Sequence, residues 1–436
     1  MRTESDLLGE LQIPETAYYG VQTQRAINNF KISNNYLSHY PEFVKALGVV
    51  KLGAAQANHE LGILSKELFD AISFASNELI AGKYTEQFPI DMIQGGAGTS
   101  TNMNANEVIA NIALEHLGKQ KGEYQFCSPN DHVNLSQSTN DAYPSALKLA
   151  LFNMNKPLVE ALTSLYEAFD KKGKQFGNVI KMGRTQLQDA VPMTLGQEFE
   201  GFSNTLHKEV DNLNRIATEL LVINMGATAI GTGLNAVPGY AQLCTTKIAE
   251  IMNEDVSLAD NLVEATSDTS SFVDYSSALK RLCVKLSKIC NDLRLLTSGP
   301  RTGLFEINLP PKQPGSSIMP GKVNPVIPEV VNQVCFKVIG NDLSITMAAE
   351  AGQLQLNVME PIIGFSIMES IQYLTNAMNT LRVECVDGIT ANVEHLKNEV
   401  QNSIGIVTAL NPYIGYKAST KIAKEALETG GSVYQL

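Results

Sequence analysis

The run from Tyr275 to Leu296, YSSALKRLCVKLSKICNDLRLL, decides the fold. Its large apolar residues recur at alternating steps of four and three, namely Tyr275, Leu279, Leu282, Leu286, Ile289, Leu293 and Leu296. Such a repeat averages about 3.5 residues, which places all its members on one stripe of an α-helix and matches the contact line between packed helices. The run therefore predicts a long helix that packs within a bundle.

Four further runs carry apolar residues mainly at steps of three and four, over residues 147–169, 199–220, 331–338 and 367–381. Five such helices predict a mainly α protein with a central helical-bundle domain. Pro157 lies inside the first run and predicts a kink or a break there. Because several runs are apolar on more than one side, we expect the bundle to pair with other copies of itself.

The remainder of the chain also favours helices. Residues from about 41 to 82 have a helical pattern, in which Pro41 suits a first helical position and Gly82 suits a stop. Residues 395–436 predict a last helical tail that is interrupted at Asn411-Pro412. No clear strand dominates the pattern, so the fold class is mainly α.

Composition limits the classes of function. The 436 residues are 44% hydrophobic and 18% charged, which is typical of a soluble globular protein with more than one domain. The net charge of −12 and the absence of a basic cluster argue against nucleic acid and against an anionic membrane surface as partners. Recognition of an anionic substrate would therefore have to be local.

Cysteine and histidine usage argues against disulfides and metal sites. The six cysteines include no C-x-x-C pair, and we expect them to behave as small buried hydrophobic residues in a reducing compartment. The six histidines are scattered and lack metal-ligand spacing. The N-terminus lacks the apolar core of a signal peptide, and no apolar run reaches membrane-spanning length, so we expect a cytoplasmic protein.

Polar clusters separate the helical runs. The most informative is the stretch Gly315-Ser316-Ser317-Ile318-Met319-Pro320-Gly321-Lys322-Val323-Asn324-Pro325, followed by Glu329. Its glycines and prolines exclude a regular helix or strand, so it predicts a mobile loop that carries two hydroxyls, an ammonium and an amide. An ordinary surface turn is the alternative interpretation of this stretch taken alone.

Four other clusters accompany this loop, at residues 94–104, 128–141, 181–189 and 226–235. The first is a glycine-rich turn that delivers Thr99 to the start of a helix, where backbone N–H groups can bind an anion. It is neither a phosphate-binding loop nor a dinucleotide fingerprint, since no Gly-Lys-Ser/Thr follows and no strand–helix alternation surrounds it. Ser138 and Thr139 are compatible with a plain helix cap as well as with anion binding.

Together these clusters resemble those of the aspartate ammonia-lyases, in the superfamily that also holds class II fumarases, argininosuccinate lyases and adenylosuccinate lyases. The superfamily pattern G-S-S-x-M-P-x-K-x-N-x-x-x-x-E matches Gly315 to Glu329 throughout, and the resemblance extends over essentially the whole chain. The run from Gly95 to Ser100 is similar to aspartases, since fumarases usually have Gly-Ser-Gly-Thr-Gln there. Gln186 stands where fumarases carry His, although some aspartases keep that His.

The resemblance implies a three-domain fold: an N-terminal mostly helical domain over residues 1–137, a central five-helix bundle over 138–394 and a small C-terminal helical domain over 395–436. It implies a homotetramer with a 20-helix core, in which three subunits contribute to each active site. The family normally continues beyond Gly430-Gly431-Ser432-Val433 through another helical piece, so we expect a shortened C-terminal domain here.

The implied reaction is the reversible elimination of ammonia from L-aspartate to give fumarate, through an aci-carboxylate intermediate. By match to the family, Ser316 is the base. The substrate-binding residues implied by the same match are Thr99, Ser138, Thr139 and Ser317 for the β-carboxylate, Lys322 and Asn324 for the α-carboxylate, and Asn140, Thr185 and Gln186 for the amino group.

Three alternatives remain open at this stage. The first is a fumarate hydratase on the same fold, the second a catalytically silent scaffold or storage protein, and the third a dicarboxylate-binding module without turnover. The loss of Ser316 or Lys322 would have favoured a silent protein, and both are present. We expect no organic cofactor. A divalent cation is an expected activator from the resemblance, although no cluster of ligands for one is evident.

Overall fold

The computed structural model describes residues 1–433 and 435–436, and it is mainly helical. Within this part of the chain, none of the helices combines the length and the apolar character needed to cross a membrane. The helices are α1 (Val21–Asn29), α2 (Pro41–Glu60), α3 (Lys66–Ile80), α4 (Thr99–His116), α5 (Thr139–Gln175), α6 (Leu195–Ala217), α7 (Tyr240–Met252), α8 (Leu262–Ser267), α9 (Ser270–Leu296), α10 (Val326–Glu350), α11 (Glu360–Glu384), α12 (Val393–Asn402), α13 (Asn411–Ile414) and α14 (Tyr416–Thr429).

The strands are short and form two-stranded sheets. Three sheets are antiparallel and one, β5–β6, is parallel. The strands are β1 (Arg2–Asp6), β2 (Gly9–Ile13), β3 (Ile180–Thr185), β4 (Gln188–Thr194), β5 (Val222–Ile223), β6 (Ser257–Leu258), β7 (Ile307–Asn308) and β8 (Thr390–Ala391), paired in the order β1–β2, β3–β4, β5–β6 and β7–β8. The prediction that no strand dominates is confirmed.

The five long helices predicted from apolar spacing are α5, α6, α9, α10 and α11, and all five are confirmed. The seven residues of the 275–296 repeat are all buried, as a contact stripe requires. Of the kink or break predicted at Pro157, the break is wrong, because α5 continues without interruption from Thr139 to Gln175, and the kink stays a prediction. Pro157 lies on an exposed side of α5, where a carbonyl that lacks its N–H donor can be solvated, and buried leucines on both sides of it stabilise the helix.

Two smaller predictions needed correction. The helical pattern over residues 41–82 is two helices, α2 and α3, because a turn follows Glu60 and Ser65 caps α3 by accepting a hydrogen bond from the Leu68 N–H. Pro41 does open α2, and α3 ends at Ile80, just before Gly82. In the C-terminal tail, Pro412 lies in the first turn of α13 and so begins a helix after a stretch of 3₁₀-helix over Ile404–Leu410.

The chain forms two compact units, and the boundaries between them fall inside the five long helices. The first unit comprises Met1–Pro157, Leu213–Leu279 and Ile339–Gln372. Its core lies around α2, whose residues are buried on nearly all sides. Phe43 from this helix packs edge-on against Tyr143 of α5, with ring centroids 5.4 Å apart. This packing holds the start of α5 against α2.

The second unit comprises Leu158–Asn212, Lys280–Val338 and Tyr373–Leu436. Its core includes an aromatic cluster from α5 and α6, formed by Phe169, Phe176, Phe199 and Phe202. The antiparallel hairpin β3–β4 precedes α6, and a small cluster around Val407 and Ala426 packs the C-terminal helices. The three-domain division at residues 137 and 394 stays a prediction.

Candidate active site

Thr99 is presented by a tight glycine-rich turn in the first unit. Gly96, Ala97 and Gly98 all have positive φ, and Thr99 then begins α4 as an exposed residue. A Cβ on Gly98 would lie 2.3 Å from Cδ2 of the Tyr143 ring, so only glycine fits here. The Thr99 hydroxyl donates to the Gly96 carbonyl oxygen at 2.8 Å. The turn thus sets Thr99 at a helix N-terminus, where the dipole favours an anion.

Ser138, Thr139 and Asn140 lie together at the start of α5, in the same unit. The Asn140 N–H donates to the Ser138 Oγ at 3.2 Å, and the Asn140 amide donates to the carbonyl oxygen of Ala229 at 2.7 Å. The buried Asp141 carboxylate accepts from the backbone N–H groups of Ser138, Gly226 and Thr228. The 226–235 cluster therefore supports the residues predicted to bind substrate.

Burial raises the pKa of Asp141 to about 6, although three backbone N–H donors and nearby Lys51 oppose this shift. The direction reflects the cost of placing a carboxylate where water is excluded. A carboxylate suits this position because its two oxygens accept hydrogen bonds from two separate segments of the chain, one at Ser138 and one at Gly226 and Thr228. Asp141 therefore joins these two segments and stabilises the predicted substrate-binding residues.

Lys51 is a residue of this region that sequence reasoning missed. It lies in α2, is fully buried, and its ammonium donates to the side-chain oxygens of Asn102 at 2.7 Å, Asn134 at 3.1 Å and Gln137 at 2.8 Å. Asn102 in turn donates to the Thr139 Oγ1 at 3.2 Å. A signal was present, because Lys51 stands between Val50 and Leu52 in an otherwise apolar stretch.

Thr185 and Gln186 lie at the exposed tip of the β3–β4 hairpin in the second unit. Gln186 and Leu187 form the turn with φ of +54° and +63°, which is unfavourable for residues that carry a side chain. Non-glycine residues in this conformation persist where the surrounding structure holds them, and such strain is concentrated at functional sites. Sequence reasoning did not find the hairpin itself.

A buried network of charges holds this hairpin. The Glu306 carboxylate is fully buried and pairs with Arg184, the residue before Thr185, and with Lys181 at 2.5 Å. Lys181 also pairs with Glu198 at 2.6 Å. From the C-terminal segment, the Ser403 hydroxyl donates to Asp189 at 2.8 Å. These contacts stabilise the hairpin at its base and leave its tip exposed.

The 315–325 segment is a loop, as predicted, and two hydrogen bonds join its beginning to its end. The Gly315 N–H donates to the Lys322 carbonyl oxygen at 2.6 Å, and the Asn324 amide donates to the Gly315 carbonyl oxygen at 2.7 Å. A Cβ on Gly315 would lie 2.8 Å from that Lys322 oxygen, so the closure requires glycine. The residues from Ser317 to Val323 are exposed.

The Ser316 Oγ accepts two hydrogen bonds within this loop, from the backbone N–H groups of Ile318 at 3.2 Å and Met319 at 3.0 Å. Two donors aimed at one hydroxyl oxygen favour its negatively charged form. Lys322 is exposed, and within the described residues no bond joins it to Ser316. The backbone, and not Lys322, therefore contacts this oxygen.

The predicted site residues thus fall into two sets. Thr99, Ser138, Thr139 and Asn140 belong to the first unit, where Asn102 of α4 joins α4 to Thr139. The second unit carries Thr185 and Gln186 on the hairpin and Ser316, Ser317, Lys322 and Asn324 on the loop. Glu329, in the first turn of α10, makes no hydrogen bond to Gln186 in the part of the chain that the structure describes.

The six cysteines are buried, as expected, and the described residues form no disulfide. Across residues 1–433 and 435–436, no group of three or more His, Cys, Asp or Glu side chains is arranged to hold a metal ion. The predicted site residues carry hydroxyls, amides and one exposed ammonium, that of Lys322.

Known proteins share the sequence of this chain over its whole length. A family model described as Lyase matches residues 9–340, and one described as Fumarase C C-terminus matches residues 406–436. The chain is similar to the aspartate ammonia-lyase of Pseudomonas aeruginosa, with 62% identity over all of this chain and 92% of that protein. It is also similar to the aspartate ammonia-lyase of Helicobacter pylori, with 58% identity over all of this chain and 93% of that protein.

Solved structures show the same fold. A fumarate lyase:delta crystallin from Brucella melitensis bound to cobalt has a TM-score of 0.97 and 54% identity, covering 100% of this chain and 94% of that one. A class II fumarase from Schistosoma mansoni has a TM-score of 0.93 and 34% identity, covering 99% and 94%. Fold and matches define a lyase of the aspartase and fumarase superfamily. Within it, the chain belongs to the aspartate ammonia-lyase family of carbon–nitrogen lyases.

Proposed function

We propose that this enzyme catalyses the reversible deamination of L-aspartate to fumarate and ammonia, with Ser316 as the base. The observation that carries the proposal is the Ser316 Oγ, which two backbone N–H groups approach in a loop that matches the family pattern. A free serine hydroxyl is a poor base and has to be activated. Hydrogen bonds to its oxygen stabilise the alkoxide and supply that activation.

The difficult step is removal of a weakly acidic proton from Cβ, next to a carboxylate. The pair of electrons left on Cβ moves into the adjacent carboxylate to give an aci-carboxylate, and then returns to form the double bond as the amine leaves. The intermediate carries extra negative charge and needs hydrogen-bond donors that are already in place. We assign Thr99, Ser138, Thr139 and Ser317 to this group, since all four carry hydroxyls and the first three lie at helix N-termini.

Lys322 and Asn324 are assigned to the α-carboxylate, and Asn140, Thr185 and Gln186 to the amino group. The exposed ammonium of Lys322 suits a carboxylate ligand, because it makes no ion pair within the described residues. The exposed part of the loop then closes over bound substrate, which excludes water and brings Ser316 to Cβ.

Gln186 accounts for the preference for an amine over a hydroxyl as leaving group. Hydroxide is a poor leaving group and needs an acid, whereas the amine of aspartate is already protonated at neutral pH and leaves as ammonia. Gln186→His is therefore expected to add dehydration of L-malate to the activity on L-aspartate. Initial rates on both substrates test this, with Leu187→His as the control that places the same ring one residue further along the turn. No change in either activity would contradict this role.

We also propose a homotetramer in which subunits share active sites. The helix α10 carries a stripe of large apolar side chains at Phe336, Leu343 and Met347, which are 62–64% exposed. The core face of the same helix is buried, so α10 is apolar on two sides. A second copy of this chain would cover such a stripe.

Phe336→Asp is expected to dissociate the tetramer and abolish fumarate formation, because a charge would have to be buried between subunits. Sedimentation velocity measured together with turnover tests this expectation. The matched control is Leu427→Asp, which places the same charge at an exposed leucine of α14 and is expected to keep both assembly and activity. A Phe336→Asp protein that stays tetrameric and fully active would contradict the proposed interface.

The proposal includes no organic cofactor, and it allows a divalent cation as an activator at an unidentified site. Its partners are L-aspartate, fumarate, ammonia and further copies of the chain, with neither nucleic acid nor membrane. Six buried cysteines outside any disulfide suit a reducing compartment, so a cytoplasmic location forms part of the proposal. The test of the reaction is product identification by proton NMR with an ammonia assay. Equal amounts of fumarate and ammonia from L-aspartate are expected, and the absence of either product would refute it.

A further inference from the structure

The surroundings of Lys51 are unusual for a buried lysine. Its ammonium is fully enclosed in the first unit and contacts three side-chain amide oxygens, those of Asn102, Asn134 and Gln137. Three acceptors within hydrogen-bond distance require three N–H groups, which only the charged form of lysine has. The geometry therefore matches an ammonium ion and not a neutral amine.

An ammonium ion only donates, so it fixes the orientation of each amide around it. Asn102, Asn134 and Gln137 must turn their oxygens toward Lys51 and their NH₂ groups away. The Asn134 oxygen also accepts from the amides of Asn102 and Asn106, both at 3.1 Å. The Gln137 amide donates to the Val133 and Leu135 carbonyl oxygens, at 3.0 and 3.1 Å. No amide in this network can flip without losing several bonds.

The fixed orientation of the Asn102 amide determines the hydrogen bonding of Thr139. Because the Asn102 oxygen faces Lys51, the Asn102 NH₂ group faces away and donates to the Thr139 Oγ1 at 3.2 Å. The Thr139 oxygen is the acceptor in this hydrogen bond, so the proton of the Thr139 hydroxyl can be donated to a different group. Thr139 is half-buried, and its hydroxyl donates to no other group in the described part of the chain. The proton is therefore available to a ligand.

We propose that Lys51 is a positioning residue that acts through Asn102 to make the Thr139 hydroxyl a committed hydrogen-bond donor to the oxyanion that develops during elimination. This inference rests on the proposed function. We assign Lys51 no contact with substrate, because its ammonium is fully enclosed by protein groups. Its charge polarises the Asn102 amide, so the bond from Thr139 strengthens as negative charge grows on the carboxylate.

The groups that raise the pKa of Lys51 do so without a direct ion pair in the described residues. Burial lowers the pKa of Lys51 to about 7, while Asp141 and Cys244 act in the opposite direction. Asp141 is itself buried and committed to three backbone N–H groups. The Lys51 ammonium therefore makes no direct ion pair in the described residues. Its hydrogen-bond partners are neutral amides, one of which, Asn102, donates to Thr139.

The test compares two inhibitors. Succinate resembles the substrate in its ground state, whereas the nitronate of 3-nitropropionate has a planar, charged group that resembles the aci-carboxylate. Lys51→Gln keeps two N–H donors and removes the charge. We expect it to weaken nitronate binding by roughly 10-fold or more, the size of a hydrogen bond to a charged group, and to lower kcat in parallel. Succinate binding and KM for L-aspartate are expected to change much less.

Asn102→Ala provides a second variant that keeps Lys51. It is expected to show the same selective loss of nitronate binding, and the double variant Lys51→Gln with Asn102→Ala should be no worse than either alone, since both act through one bond. Lys172→Gln is the control. Lys172 is a second buried lysine, which in the described part of the chain donates hydrogen bonds to Gln175 and the Ile389 carbonyl oxygen, and its substitution should leave the inhibitor ratio unchanged.

The outcomes separate this inference from the proposed function. Equal losses for succinate and nitronate, or additive losses in the double variant, would overturn the role of Lys51 while leaving the deamination of aspartate intact. If Lys51→Gln does not fold, the inhibitor ratio of Asn102→Ala decides the question. A wild-type enzyme that forms no fumarate from L-aspartate would overturn the proposed function, and this inference with it.

Discussion

Replacement of Ser316 by alanine is expected to lower kcat for L-aspartate by about 10³- to 10⁴-fold, the upper part of the range for a positioned general base. The reason is that Ser316 alone in the loop has its oxygen between two backbone N–H donors, from Ile318 and Met319. Alanine removes that oxygen and leaves the loop closure between Gly315, Lys322 and Asn324 in place. Succinate affinity should therefore survive.

Steady-state kinetics and isothermal titration with succinate separate these two effects. Ser317→Ala is the matched control, because it removes the neighbouring hydroxyl, whose proposed role is binding of the β-carboxylate. We expect Ser317→Ala to raise KM more than it lowers kcat, in contrast to Ser316→Ala. Near-wild-type turnover by Ser316→Ala would remove Ser316 from the mechanism.

Gly98→Ala is expected to destabilise the first unit by about 2–5 kcal/mol, the sum of a left-handed backbone at a non-glycine residue and of overpacking in a core. Gly98 has φ of +90°, and its added Cβ would lie 2.3 Å from the Tyr143 ring. That ring is buried against Phe43, so it has no space to retreat. Any shift of the turn also displaces Thr99, so fumarate formation should fall together with stability.

Urea denaturation followed by far-ultraviolet circular dichroism measures this effect. The matched control is Gly201→Ala, at an exposed position inside α6 where an added Cβ meets nothing within 4 Å. That substitution should leave stability unchanged or raise it by up to about 1 kcal/mol, because glycine is unfavourable inside a helix. Equal denaturation midpoints for the two variants would show that the contact with Tyr143 has been overestimated.

Apolar spacing predicted the architecture well where a helix had one continuous stripe. The run from Tyr275 to Leu296 and its four counterparts became α9, α5, α6, α10 and α11, because burial of a stripe outweighs local preferences. The same principle explains the error at Pro157, where buried leucines on both sides hold α5 together. The hairpin β3–β4 was missed because its residues do not alternate regularly between buried and exposed.

The local segments of the candidate site could be predicted from the sequence, whereas the long-range contacts that hold those segments could not. Glycine and proline identified the loop around Ser316, and cap-forming residues identified the segment from Ser138 to Asn140, since both signals are local. The ion pairs of Glu306 and the amide network of Lys51 join residues far apart in the chain, so no local pattern reveals them.

The central claim is that this enzyme removes ammonia from L-aspartate. It is tested most directly by the ultraviolet absorbance of fumarate formed from L-aspartate, measured beside L-malate with the same enzyme preparation. The account predicts fumarate from L-aspartate and none from L-malate. Fumarate from L-malate alone would contradict it and would make the enzyme a hydratase. No product from either substrate would contradict it as well, and would favour a protein that binds dicarboxylates without turnover.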